Sequence, residues 1–214
     1  MPVTIWSTPG TEADEPLPLL VVHDGPDYSR RGRLRATLEA LDVPLRAALL
    51  TAVDRDETYS ASAAYARALT REVLPAVDEI APRVGPRVGL GASLGALALL
   101  HAHRVDRHAF GGLFLQSGSY FRRRTDPQEA WFDRFGRIER FVRSVERRTR
   151  RPIPVTVTCG LEEENLANNC ALAASLARAG YDVRLHAAPG SHDWPTWRAA
   201  LDAHLADLLE RAWT

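Results

Sequence analysis

A serine set between two glycines is the residue in this chain best placed for covalent chemistry. It stands in Gly91-Ala92-Ser93-Leu94-Gly95. The apolar run 87–90 precedes it, and an Ala/Leu-rich stretch, 93–104, follows it. Strand, sharp turn and helix in that order form a nucleophile elbow. The turn strains the serine backbone, small flanking residues avoid a clash, and the hydroxyl is left exposed at the carboxyl edge of a sheet. The same turn aims the Leu94 N–H and the positive end of the helix at the reaction centre. A serine hydroxyl is a weak nucleophile at neutral pH, so a base has to stand beside it.

In a fold built on such an elbow, the acid and then the histidine follow the serine in the chain, with the histidine in a loop after the last strand. His101 and His103 lie two apart on a helical stretch and point to different faces. His186 falls inside the last strand run and His204 inside the closing helix. His192, in Pro189-Gly190-Ser191-His192-Asp193-Trp194, occupies the required loop. The acid belongs after the preceding strand, where the chain reads Cys159-Gly160-Leu161-Glu162-Glu163-Glu164-Asn165. Any of the three glutamates could orient the imidazole and stabilise its cation, and spacing does not choose among them. Asp193 is the poorer candidate, because an immediate neighbour rarely points back at the ring. A second oxyanion donor is expected from the turn Val22-His23-Asp24-Gly25-Pro26-Asp27-Tyr28.

These residues need a scaffold that brings distant segments to one edge. Short apolar runs at 3–6, 19–23, 45–53, 87–90, 112–116, 154–158 and 183–187 alternate with helical patterns at 62–80, 93–104, 165–179 and 194–213. That alternation predicts an α/β fold, a mainly parallel central sheet with helices on both faces. No repeat or linker divides residues 1–214, so one domain is expected. Asp126-Pro127-Gln128-Glu129 has the pattern of a helix start: a capping Asp, Pro at the first position and Glu three after the cap. Trp131, Phe135, Ile138, Val142 and Val145 then recur at helical spacing among many arginines. A long amphipathic helix with a solvated basic face is predicted, a cap-like segment around 122–151. The alternative is a cap that touches an anionic substrate.

Composition narrows the function classes. Lys+Arg and Asp+Glu are both 27, so no global field favours nucleic acid or a membrane. No apolar stretch is long enough to span a bilayer. The N-terminal segment lacks the pattern of a secretory signal, and the two cysteines, Cys159 and Cys170, are expected to be reduced. A cytoplasmic location is therefore expected. Two cysteines alone cannot form a zinc site.

Four segments together resemble the esterase family of α/β-hydrolases that includes the enterochelin (iron–enterobactin) esterases. They are Leu20-Val21-Val22-His23-Asp24-Gly25, the elbow Gly91-Ala92-Ser93-Leu94-Gly95, Phe114-Leu115-Gln116-Ser117-Gly118-Ser119, and Gly190-Ser191-His192-Asp193-Trp194-Pro195-Thr196-Trp197-Arg198. Arg71-Glu72-Val73-Leu74-Pro75 also fits, and the likeness runs from Leu19 almost to the end. It implies the catalytic domain alone, a Ser–acid–His esterase with no metal or organic cofactor and a small-molecule ester as substrate. It places the acid three residues after the glycine that ends the strand, at Glu163, with Glu164 next in line. In the family the residue after Asp-Gly commonly gives the second oxyanion N–H. Here that residue is Pro26, which has none, so the expected donor moves to Asp27 or Tyr28. Tyr28, Trp131 and Trp194 are expected to contact substrate. Acyl transfer on the same triad and a non-catalytic binding scaffold are the alternatives.

Overall fold

The computed structural model describes residues 1–147 and 151–214. Among these residues seven strands form one sheet in the order β1-β3-β2-β4-β5-β6-β7. They are β1 (Val3–Ser7), β2 (Leu19–Val22), β3 (Arg46–Leu50), β4 (Val88–Ala92), β5 (Gly112–Gln116), β6 (Pro154–Gly160) and β7 (Asp182–Ala188). Among the described residues only β1 runs antiparallel to its neighbour; every other strand pairing is parallel. The helices are α1 (Gly25–Arg30), α2 (Leu34–Ala40), α3 (Arg55–Tyr59), α4 (Ala63–Ala68), α5 (Leu74–Ile80), α6 (Leu94–Val105), α7 (Phe135–Ser144), α8 (Leu166–Arg178) and α9 (Trp194–Trp213). This is the α/β-hydrolase architecture.

Alternation along the strands explains the two layers. Leu19 and Val21 face one side of the sheet, where they meet α4, α5, α6, α7 and α8; Leu20 and Val22 face the other, where they meet α1, α2 and α9. Both faces are covered, so the central strands read as continuous apolar runs. In α9, Leu201, Leu205 and Leu208 recur at helical spacing and are buried, each burial stabilising the layer by roughly 1.5–3 kcal/mol.

Two predicted helices are interrupted. The stretch 62–80 splits into α4, a π-helical turn (Leu69–Val73) and α5. Pro75 stands in the first turn of α5 and has no N–H, so it cannot continue an α-ladder. The ladder widens by one residue, with Leu74 N–H donating to Leu69 O. The predicted long helix from Asp126 becomes a 3₁₀ turn (Pro127–Trp131), an extended Phe132, and then α7. Asp126 does not cap it. Its buried carboxylate accepts from Arg122 N–H (2.8 Å), the Thr125 hydroxyl (2.8 Å) and Asn168 Nδ2 (2.5 Å). Phe135, Ile138, Val142 and Val145 are buried as their spacing implies. Residues 148–150 of the predicted helix lie outside the described residues.

Candidate active site

Ser93 sits between β4 and α6 with φ 55° and ψ −125°, a conformation an L-residue holds only when its surroundings impose it. The glycines of the elbow have steric reasons. A Cβ on Gly91 would lie 2.8 Å from the Gly95 carbonyl carbon, and one on Gly95 would press on His23 Cβ at 3.2 Å and Asp24 Oδ2 at 3.3 Å. Leu94 opens α6, so its amide belongs to the first turn, which has no intrahelical acceptor.

Ser93, Glu163 and His192 line one concavity of about 380 Å³ with Ser119, Phe121, Glu129, Glu162, Glu164 and Asn165. His192 Nδ1 donates to Glu163 Oε2 at 2.7 Å, which leaves Nε2 as the basic nitrogen. Glu163 Oε1 accepts from the Ser117 hydroxyl at 2.6 Å and from Gly160 N–H at 2.7 Å. The Glu163 side chain has no exposed surface, whereas that of His192 is 42% exposed. Burial alone would raise the Glu163 pKa. The hydrogen bonds from His192, Ser117 and Gly160 outweigh it and hold the carboxyl below its ordinary value. Trp197 Nε1 donates to Ser117 Oγ at 2.9 Å, so the chain of bonds runs from α9 to the acid and on to the histidine. Glu162 instead accepts from the Ser191 hydroxyl, and Asp193 caps α9 by accepting from Thr196 N–H. Cys159, beside Glu163, is no rival nucleophile, because burial pushes its thiol up to about 12.

Ser119 and Ser117 were not singled out for chemistry in the sequence. Ser119 Oγ lies 3.0 Å from Ser93 Oγ, and Ser119 N–H donates to Ser93 O at 3.3 Å. The signal was present in the segment Gln116-Ser117-Gly118-Ser119, but only the fold, which pairs β5 with β4, shows which hydroxyl meets Ser93. A buried cluster under the elbow was also unforeseen. His23 Nδ1 donates to Gly95 O at 3.0 Å, and Nε2 accepts from the Tyr65 hydroxyl at 2.8 Å. Burial drops its pKa to about 3, so the ring is neutral and its tautomer fixed. Arg55 grips both carboxylate oxygens of the adjacent Asp24, at 2.9–3.1 Å.

Four of the expected contacts are placed elsewhere. Asp27 N–H donates to Asp24 O at 3.0 Å inside α1, and Tyr28 N–H does the same at 3.0 Å, so neither amide is free for an oxyanion. The Tyr28 side chain is buried, its hydroxyl donating to Gln116 Oε1 at 2.7 Å. Trp194 packs edge-on against Tyr28 and Trp197 with the Arg31 guanidinium over its ring. Trp131 is 77% exposed and lines a separate hollow with Asp54, Asp56 and Glu57. The break at Phe132 swings it away from Ser93. The described cap arginines also avoid the site: none of them lines the Ser93 concavity, and Arg134 and Arg137 pair with Glu57.

Comparison with known proteins bears on the fold and the family. No curated protein sequence matches. The enterobactin esterase FES from Shigella flexneri, solved in the presence of enterobactin, superposes with a TM-score of 0.79 at 27% identity, covering 97% of this chain and 54% of that one. The ferric enterobactin esterase of Salmonella typhimurium gives 0.76 at 26% identity over 97% and 54%. This chain thus spans about half the length of those proteins. FphF of Staphylococcus aureus, a fluorophosphonate-binding serine hydrolase, shares the fold, with a TM-score of 0.71 at 17% identity over 97% and 91%. The family profile described as "Putative esterase" matches residues 4–208, and the chain belongs to that family.

Proposed function

We propose that the chain hydrolyses a carboxylic ester through an acyl-enzyme, with Ser93 as nucleophile, His192 as general base and Glu163 as the acid that orients it. The 2.7 Å bond from His192 Nδ1 to Glu163, in the concavity that holds the elbow serine, carries this reading. Ser93 Oγ attacks the ester carbonyl while its proton passes to His192 Nε2. The tetrahedral oxyanion faces the Leu94 N–H and the positive end of α6. Collapse breaks the bond to the alcohol oxygen, which leaves with the proton from His192. Water then attacks the acyl group by the reverse proton path, and Ser93 is restored.

Ser119 assists on the nucleophile side. Once the Ser93 proton turns to His192, the Ser119 hydroxyl can donate to Ser93 Oγ and stabilise the charge building there. Ser119→Ala should lower kcat about tenfold, the worth of one such hydrogen bond, with KM little changed. Ser119→Thr keeps the hydroxyl and should recover much of the loss. Equal loss in both variants would remove this role.

The lining of the concavity bears on substrate. Glu129, Glu162 and Glu164 surround the triad, and among the described residues no arginine lines the concavity to balance them. Neutral or cationic esters suit this field and anionic ones oppose it. A p-nitrophenyl ester panel tests both points. Neutral short-chain esters should be turned over, and p-nitrophenyl hemiglutarate should show kcat/KM roughly tenfold below its neutral isostere at low salt. Failure of every ester would reject the esterase reading itself.

A further inference from the structure

The arginines between β5 and α7 gather round a second hollow. Arg122, Arg123, Arg124 and Arg143, with Thr125, Glu139 and Ala171, line a space of about 590 Å³. One carboxylate faces four guanidinium groups, and it is already shared. Glu139 accepts from Arg123 N–H at 3.2 Å and lies 3.5 Å from Arg143 Nη2. Arg124 meets no acceptor among the described residues. Arg122 carries the sharper signal. Its Nη1 is 3.8 Å from Glu146, but its Nε and Nη2 are covered from solvent and have no hydrogen-bond partner among the described residues.

A covered guanidinium N–H without an acceptor is costly, and native structures leave few such groups without a reason. Here the missing partner is an acceptor. The flexible stem of Arg122 can turn the planar fork into the hollow beside it, where an oxyanion would take two parallel bonds. We propose that this hollow is a second binding site, for a small multivalent oxyanion of the phosphate class. Its size is that of a small-ligand pocket. The chain's zero net charge provides no extended field to hold a nucleic acid or a lipid surface, so the attraction is local. The site is distinct from the Ser93 concavity: Phe121 lines one and Arg122, the next residue, lines the other.

Calorimetric titration with inorganic pyrophosphate at constant ionic strength tests this. The wild-type chain should bind saturably at one to one. Arg122→Gln, Arg124→Gln and Arg143→Gln should each raise Kd about tenfold or more. Arg124 and Arg143 are exposed, so their variants remain informative if Arg122→Gln folds poorly. Arg71→Gln, an exposed arginine on the π turn, should leave Kd as it is. Absence of saturable binding, or equal loss in Arg71→Gln, would overturn the site. Tighter binding of an oligonucleotide or of anionic-lipid vesicles, at matched phosphate concentration, would overturn the small anion as its ligand.

Discussion

Ser93→Ala should cut kcat on any accepted ester by about 10⁴–10⁶, leaving only what oxyanion donors and binding supply without a nucleophile. The variant keeps the Cβ and hence the backbone at φ 55°, so its melting temperature should stay close to the wild type's. Ser93→Gly separates the two properties further. Glycine occupies this conformation without strain, and relief of it should stabilise the fold by about 1 kcal/mol or more. An inactive, more stable Gly variant would mark the elbow as a place where strain is held for function. The readouts are ester turnover and thermal unfolding of the three proteins. Undiminished turnover in Ser93→Ala would sink the proposed mechanism.

The second large effect is expected at Glu163. In Glu163→Gln the amide oxygen can still accept from Ser117 and Gly160, as Oε1 does now. The amide nitrogen then faces His192 Nδ1 and must donate to it. That forces the ring proton onto Nε2, the nitrogen that has to receive the Ser93 proton. A loss of about 10³–10⁴ in kcat with little change in KM follows, as when a triad Asp is made an amide. Glu163→Asp keeps the charge and should recover part of the rate. The pH dependence of stability carries its own sign. The folded-state pKa of Glu163 is depressed, so its stabilisation is present above the unfolded value of about 4.3 and fades as pH falls through the folded one. The stability difference between wild type and the Gln variant should therefore narrow in acid, which denaturant titrations at pH 7 and pH 3 would detect.

The elements were legible where local pattern and tertiary packing agree. α9 begins and ends where its amphipathic spacing does, and the elbow is readable because its glycines answer a local clash. Pattern failed where a side chain had a stronger long-range partner. Asp126 has the residue type and spacing of a cap, yet Asn168, 42 positions away, competes for its carboxylate. The same limit applies to the site. Burial and the bond to His192 distinguish Glu163 from Glu162 and Glu164, and neither is visible in three identical letters. Tyr28, Trp131 and Trp194 look alike as candidate aromatic walls. Their sides are set by Gln116, by the break at Phe132 and by the approach of α9. Proline at position 26 was readable as a missing donor, but the turn that then consumes the Asp27 amide was not.

The position of the strands grades the rigidity of the site. Ser93 leaves β4, in the middle of the sheet, whereas the loop carrying His192 leaves β7, at its margin, where most residues are exposed. Local opening begins at such margins, at a free energy below that of global unfolding. Opening confined to the β7 margin would displace His192 and leave the central strands closed. If Ser93 and His192 act together as proposed, opening confined to β7 would stop catalysis in a chain that is otherwise folded.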